Sequence, residues 1–136
     1  MIRRADISDI PELVEMGRKF HKECGQPCGF DPDAVVGLLE RMIASPDAVV
    51  LRSENGGIGG MLSPAFCDPS WIMAVELFWW AKDRQGIRLL RAFEQWAESK
   101  GVNETRTCVF ANLPGANRIL ERMEYIPSEI SYQKVA

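Results

Sequence analysis

The feature that most constrains the fold is a nearly unbroken apolar run from Trp71 to Ala81. Its sequence is Trp-Ile-Met-Ala-Val-Glu-Leu-Phe-Trp-Trp-Ala, so Glu76 is its only charged residue. Strands that are covered on both faces have such continuous apolar sequences, whereas strands with one wet face alternate. A membrane-spanning helix would need about 18 consecutive apolar residues, and this run is shorter. We therefore predict that the run forms the central strand of a sheet.

The segments before this run predict a strand, two helices and a β-hairpin. Asp9 has the features of a helix N-cap, with Pro11 in the first turn and Glu12 three residues after the cap. Asn55-Gly56-Gly57 separates two strand-like segments and is typical of a hairpin turn. In chain order, the predicted elements are a strand at 2–5, a helix from Asp9 that ends at 25–29, a helix from Asp31-Pro32 that ends at Ser45-Pro46, and strands at 48–51 and 58–62.

The segments after the run alternate between helix and strand. Apolar residues recur at helical spacing from Leu89 to Ala97, so one face of this helix can be buried. The predicted elements are a helix at 86–100, a strand at 105–110, a short helix at 116–123 and a last strand at 130–135. Such an order indicates an α/β fold with a mixed sheet, and we expect it to form one domain over 1–136.

The composition excludes several classes of protein. Apolar residues make up 46% and charged residues 26% of the 136 residues, which is typical of globular domains and not of disordered chains. The net charge of −3 argues against nucleic acid as the main partner, because phosphate binding usually needs a basic surface. We find neither a membrane span nor a signal peptide, and therefore expect a cytoplasmic protein that does not bind membranes.

The four cysteines, Cys24, Cys28, Cys67 and Cys108, are scattered, which favours free thiols in a reducing compartment. His21, Cys24 and Cys28 could together suggest a zinc site. Their spacing is not one of the usual paired-ligand patterns, and glycine and proline residues interrupt the segment between the two cysteines. We expect no metal, and His21 is kept only as a reserve candidate for catalysis.

The segment from Glu76 to Leu90 resembles the cofactor-binding region of the GCN5-related N-acetyltransferase (GNAT) superfamily. In that family, apolar residues at the end of the fourth strand hold the pantetheine arm of acetyl-CoA. A glycine-containing loop with a basic residue then opens the next helix and binds the pyrophosphate. Here Trp79-Trp80-Ala81 ends the apolar run, and Gly86 follows a loop that contains Arg84. The stretch 112–125 and the order of elements also resemble the family, most closely its small phage or prophage members.

The resemblance implies the GNAT fold, with a mostly antiparallel sheet flanked by helices, and acetyl-CoA as co-substrate for transfer to an unidentified amine. Helix N-termini bind anions in general, and Lys82, Arg84, Arg88 and Arg91 would add a basic patch. Glu76 is the candidate catalytic base, because burial in an apolar strand raises the pKa of a carboxyl group. The implied cofactor-binding residues are Trp79, Trp80, Ala81, Arg84, Gln85, Gly86, Ile87, Arg88 and Asn112.

Two departures from the family pattern leave a second function open. The loop has a single glycine, Gly86, and Arg84 stands where the family has its middle glycine. Leu120 stands where many members carry a tyrosine that protonates the departing thiolate. The alternative to an N-acetyltransferase is therefore a catalytically inactive GNAT-like module.

Such a module would bind a partner, or form a homodimer, through an aromatic surface around Trp71, Trp79 and Trp80.

Overall fold

The computed structural model of the protein describes all of its residues, 1–136. The strands are β1 (Arg3–Arg4), β2 (Ala48–Arg52), β3 (Gly57–Ala65), β4 (Asp68–Trp80) and β5 (Glu104–Arg106). The helices are α1 (Ile10–Cys24), α2 (Pro32–Ala44), α3 (Gln85–Ser99) and α4 (Gly115–Arg122), and a short 3-10 turn at Ile7–Asp9 leads into α1. A membrane could not be spanned by any of these helices, since none combines enough length with enough apolar character.

The five strands form one mixed sheet in the order β1-β2-β3-β4-β5. Neighbouring strands are antiparallel up to β4, and β5 runs parallel to β4. β4 is 13 residues long and contains most of the apolar run, which confirms the prediction of an interior strand there. The predicted α/β fold, with a mostly antiparallel sheet flanked by helices, is confirmed.

The last strand predicted at 130–135 does not form, and that prediction was wrong. Residues 123–136 contain no helix or strand, and Ile130 and Tyr132 are 75% and 89% exposed. Strand-like composition forms a strand only where a sheet edge is available for pairing. β5, predicted at 105–110, ends already at Arg106, so it offers only a short edge.

Two apolar cores cover the two faces of the sheet. On one face α3 packs Leu89, Leu90 and Phe93 against β2, β3 and β4. On the other face α1 and α2 bury Leu13 and Leu39 against the sheet. The sheet is therefore the middle layer of a three-layer arrangement, as a strand that is apolar on both faces requires.

A β-bulge in β4 changes which face its side chains occupy. Gly59 pairs with Phe78 and the next residue, Gly60, pairs with Glu76, which leaves Leu77 as an extra residue. In a regular strand every second residue points to the same face, so Phe78 would join Ala74 and Glu76 on the face covered by α3. Because of the extra residue, Phe78 instead packs in the core beneath α1 and α2.

Gly60 allows β3 to lie close to β4 and α3 at the bulge. A Cβ atom on Gly60 would lie 2.4 Å from the Val75 carbonyl oxygen and 2.6 Å from the Phe93 ring. A side chain cannot be accommodated at that separation, so the local spacing of β3, β4 and α3 depends on this glycine.

An ionic cluster built on the buried Asp9 and Arg52 joins the N-terminal strand to β2 and α1. Both guanidinium nitrogens of Arg3 donate to Asp9 at 2.7 Å, and Arg52 donates to Asp9 at 2.9 Å and to Glu12 at 2.8 Å. The side chain of Asp9 does not cap α1 as predicted; it accepts the backbone N–H of Asp6 in a capping box on the preceding 3-10 turn, with Asp6 as the N-cap. The hydrogen bonds from Arg3 hold the pKa of Asp9 well below its usual range.

We expect Asp9→Asn to lower the free energy of unfolding by about 3 kcal/mol at neutral pH, because it leaves the buried Arg52 only partly compensated. In the native protein, the stability that Asp9 provides is present above its ordinary pKa of 3.8 and is lost as pH falls toward its lowered folded-state pKa. Urea unfolding at pH 7 and pH 3 measures both effects.

The matched control is Glu15→Gln, which removes an exposed ion pair with Arg18 and should leave the midpoint unchanged. Equal midpoints for Asp9→Asn and the native protein at pH 7 would contradict this role for the cluster.

Candidate active site

A cleft opens where β4 and β5 separate. The two strands pair only over three residues, from Met73 with Glu104 to Val75 with Arg106. Beyond that point the segment 107–113 leaves the sheet, and a cleft of about 890 Å³ lies between it and the C-terminal half of β4. Its walls include Phe20, Glu76, Trp79, Trp80, Asp83, Arg84, Gly86, Cys108 and Phe110.

Glu76 lies at the point where the two strands part. It is 6% exposed, and its Oε2 atom accepts hydrogen bonds from the Thr107 hydroxyl at 3.0 Å and the Cys108 N–H at 3.1 Å. These two residues are the first that follow β5. The Cys108 N–H, a backbone donor that could otherwise extend the ladder, is thus bound to a side chain just beyond the end of β5. The bonds occupy Oε2 and leave Oε1 without a hydrogen bond from the protein.

Burial raises the pKa of the Glu76 carboxyl above its ordinary value, and the hydrogen bonds from Cys108 and Thr107 partly oppose that shift. Partial desolvation also raises the pKa of the Cys108 thiol, and the nearby Glu76 carboxylate adds to the effect. The site therefore favours a neutral thiol beside a carboxylate whose affinity for a proton is increased. Such a carboxylate is suited to accept a proton from a cationic group at near-neutral pH.

The tryptophans of β4 pack into different parts of the molecule. Trp79 packs against the α3 core, and its Nε1 donates to the Gly86 carbonyl at 3.1 Å. Trp80 packs on the opposite face, where a Cβ on Gly17 would lie 2.6 Å from its ring. Trp71 is 41% exposed and donates to Glu104 at 2.6 Å. The common aromatic surface expected for a binding module does not form, because adjacent residues of a strand point to opposite faces.

The N-terminus of α3 lies at the cleft and is partly capped by the chain itself. Asp83 Oδ1 accepts the N–H of Gln85 at 2.9 Å, and the Asp83 carbonyl accepts the N–H of Gly86 at 3.2 Å. An anion approaching this helix therefore meets the negative charge of Asp83. Arg84 lines the same part of the cleft and has no ion-pair partner, so it offers the compensating positive charge.

The structure brings together most, but not all, of the residues that the sequence assigned to the site. Glu76, Trp79, Trp80, Ala81, Arg84, Gly86 and Ile87 line the cleft. Gln85, Arg88 and Asn112 do not. Asn112 instead donates to the Cys24 carbonyl at 3.3 Å. Arg88 lies with Arg91 in a separate groove, because both follow the helical period onto the other side of α3.

The expected single basic patch is therefore divided in two. Lys82 and Arg84 lie at the cleft, and Lys82 forms an ion pair with Glu23 at 2.7 Å. Arg88 and Arg91 belong to the other groove. Along the sequence these four residues are close together, but Lys82 and Arg84 belong to the loop before α3, whereas Arg88 and Arg91 lie on the helix.

Sequence reasoning missed the second wall of the cleft. Thr107 and Cys108 hold Glu76, and Phe110 packs on Phe20 of α1 with ring centroids 6.2 Å apart. These residues belong to the segment that was predicted to continue the fifth strand. The available signal was Pro114 together with Gly115, which predicts a loop rather than a strand just upstream of the last helix. His21, the reserve candidate, also lines the cleft.

No side chain of α4 can donate a proton into the cleft. Leu120 packs against the α3 core, as does Tyr125. Burial raises the pKa of the Tyr125 hydroxyl, and neither residue lines the cleft. The cleft therefore has a carboxylate that can accept a proton, but no tyrosine that can donate one.

Comparison with solved structures identifies the fold. The chain is similar to a GCN5-related N-acetyltransferase from Ralstonia eutropha JMP134, with a TM-score of 0.72 and 15% identity over 99% of this chain and 97% of that one. The fold is that of the GNAT acetyltransferases.

Two further structures have this fold. A predicted acetyltransferase from Clostridium acetobutylicum, solved with acetyl-CoA, has a TM-score of 0.77 and 11% identity over 99% of this chain and 95% of that one. A transcriptional regulator from Bacillus halodurans C-125 has a TM-score of 0.78 and 15% identity over 100% of this chain and 99% of that one. No protein-family model matches the sequence, and a search of curated proteins found no match. At these identities the likeness establishes the GNAT fold alone.

We expect Glu76→Gln to raise the stability of the protein at pH 8 and to have little effect at pH 4. Because burial raises the folded-state pKa of Glu76, the stability linked to its proton is fully present below its ordinary pKa of 4.5 and is lost as pH rises through the raised value. Glutamine keeps an oxygen that can accept from Thr107 and Cys108. Melting temperatures of both proteins from pH 4 to pH 8 measure the difference. If the difference in melting temperature does not change with pH, Glu76 does not titrate in this way.

Proposed function

We propose that the protein is an N-acetyltransferase that moves an acetyl group from acetyl-CoA to an amine. The observation that carries this proposal is the position of Glu76, a buried carboxylate with one free oxygen, in the wall of a cleft formed by the separation of two strands. The helix N-terminus and the unpaired Arg84 at the same cleft are the second support, since both attract an anionic ligand.

The size and chemical character of the cleft suit acetyl-CoA. A cleft of about 890 Å³ is in the range of ligand sites, and its walls are mainly apolar, as a pantetheine arm requires. Trp79, Trp80 and Ala81 would hold that arm along the part of β4 that has no β5 partner. Arg84 and the first turn of α3 would hold the diphosphate. For this, the hydrogen bond from the Gln85 N–H to the Asp83 carboxylate would have to break.

Glu76 would act as general base. When bound, acetyl-CoA supplies a thioester carbonyl carbon to which an amine nitrogen can bond while the carbon–sulfur bond breaks and the thiolate leaves. Glu76 Oε1, directly or through a water molecule, accepts the proton that the amine loses. The hydrogen bonds from Thr107 and Cys108 fix the carboxylate in one orientation. Because Leu120 has no proton to give, the thiolate would be protonated from water.

Binding of CoA tests the first step of this proposal. We expect CoA to raise the melting temperature, as any ligand selective for the folded state does. Arg84→Ala should weaken binding about tenfold, as expected for a lost charge-assisted hydrogen bond. Asp83→Asn should instead strengthen it about fivefold, because it removes a negative charge beside the diphosphate. Isothermal titration calorimetry measures all three affinities.

The matched control for these variants is Arg41→Ala, which removes an exposed arginine of α2 that has no ion pair. It should leave the CoA affinity unchanged. A native protein whose melting temperature does not respond to millimolar CoA would overturn the proposal. Equal affinities for Arg84→Ala, Asp83→Asn and the native protein would show that the diphosphate binds elsewhere.

The role of Glu76 is tested by the pH dependence of thiol release in the presence of a panel of amines. The native rate, kcat/KM, should rise with pH as the carboxyl with its raised pKa loses its proton. Glu76→Gln should lower the rate about a hundredfold and remove that rise, since general-base catalysis contributes about 10²–10⁴-fold. A Glu76→Gln variant with the native rate and pH profile would exclude Glu76 as the base.

A catalytically inactive GNAT-like module is the second candidate, supported by Leu120 and by the self-capping of α3 through Asp83. The proposed aromatic docking surface gives it no support, because Trp79 and Trp80 are packed into the two cores. The CoA titration separates the two candidates. A folded protein that does not bind CoA would favour the module.

A further inference from the structure

A second groove lies on the opposite side of α3 from the cleft. It has a volume of about 530 Å³ and runs between α3 and the edge strand β1. None of its lining residues belongs to the cleft. The residues that α3 contributes are spaced at i, i+3, i+4, i+7, i+8 and i+11, which places them on one face of the helix. They are Arg88, Arg91, Ala92, Gln95, Trp96 and Ser99.

The groove is strongly basic on an otherwise acidic chain. Four arginines, Arg3, Arg4, Arg88 and Arg91, line it, and no aspartate or glutamate does. The chain as a whole has 19 acidic and 16 basic residues, so this local excess departs from its average. Like charges three residues apart on a helix, as Arg88 and Arg91 are, repel each other. A bound anion would relieve that repulsion.

Three of these four positive charges have no partner in the protein. Arg3 is neutralised by Asp9, with which it forms two hydrogen bonds at 2.7 Å. Arg4, Arg88 and Arg91 form no ion pair. Ile2 packs in the α3 core, and strand alternation directs Arg4 to that same side, toward Arg88 and Arg91.

A buried donor beside the groove is also unsatisfied. Trp96 lines the groove and is 5% exposed, yet its indole Nε1–H has no hydrogen-bond partner. Buried donors are nearly always paired, so one without a partner needs an explanation. The nitrogen itself has almost no accessible surface, so a ligand acceptor would reach it only after the indole turns toward the groove.

We infer that this groove binds a small molecule through a phosphate or diphosphate group. A single carboxylate would compensate only one of the three free guanidinium groups, whereas a diphosphate carries a charge that matches them. The arginine fork also forms two parallel hydrogen bonds with phosphate oxygens. This inference is independent of acetyl transfer, because the groove and the cleft share no residue.

Two tryptophan indoles allow binding at the two sites to be distinguished. Trp96 lines the groove, whereas Trp79 lines the cleft, where its Nε1 donates to Gly86. In ¹H–¹⁵N spectra of the whole protein, inorganic pyrophosphate should shift the Trp96 indole resonance, and Trp96→Phe assigns it. With CoA already present at saturation, pyrophosphate should still shift Trp96. If pyrophosphate moves only the Trp79 resonance, it binds in the cleft and the inference is overturned.

Substitution of the free arginines tests the binding residues. Arg91→Ala and Arg4→Ala should each weaken pyrophosphate binding about tenfold, as expected for a lost charge-assisted hydrogen bond. Both residues are exposed, so the fold should be retained. Arg41→Ala, on the other face of the sheet, removes the same charge and should have no effect. Unchanged affinity in both Arg91→Ala and Arg4→Ala would overturn the site.

Inorganic phosphate and citrate separate the classes of anion. Phosphate should produce the same pattern of shifts at higher concentration, because it has fewer oxygens and less charge than pyrophosphate. Citrate tests a polycarboxylate of comparable charge. Citrate binding as tight as that of pyrophosphate would overturn the assignment to a phosphate group.

Discussion

The cleft depends on the two hydrogen bonds that Glu76 accepts from Thr107 and Cys108. These bonds lie just beyond the last pair of β4 with β5, and the Cys108 N–H binds the carboxylate instead of a carbonyl of β4. A charged group in the middle of an apolar strand is costly unless its hydrogen bonds are satisfied. Here one oxygen is satisfied and the other faces no protein donor. The same residue therefore fixes the architecture of the cleft and supplies its most reactive group.

Two parts of α3 also belong to different surfaces of the molecule. One end of the helix meets the cleft at Gly86, while its outer face turns Arg88 and Arg91 toward β1. Positive charges that are neighbours in sequence are thus divided between two surfaces of the molecule. Anions are therefore attracted to two sites on this domain, the cleft between β4 and β5 and the groove between α3 and β1.

Much of the fold could be predicted from the sequence because its signals are local. The apolar run, the proline and glycine stops and the helical spacing of Leu89 to Ala97 each determine an element without reference to the rest. The end of β5 could not be predicted in this way, because it depends on a contact between Glu76 and residues more than thirty positions later. The strand predicted at 130–135 failed for the same reason, since it required an edge that β5 does not provide.

The site shows the same division between local and long-range information. The residues assigned between Glu76 and Ile87 line the cleft with the exception of Gln85, because the resemblance covers contiguous sequence. Arg88 was assigned to the cofactor by proximity in the chain, and only the direction of its side chain on α3 removes it from the cleft. The cysteine at 108 had no sequence signal for its contact with Glu76. Resemblance to phage proteins, location in the cell and the amine acceptor stay predictions.

Because Leu77 is the extra residue of the bulge, substitution and deletion at this position should affect the fold very differently. Leu77 is 43% exposed and pairs with no residue of β3, so other side chains can replace it without disturbing either core. Removing the residue is different. The loss of one position would restore regular alternation and carry Phe78, Trp79 and Trp80 each to the opposite face of the sheet. Changes of this codon should therefore leave the fold intact, whereas its loss should disrupt the fold.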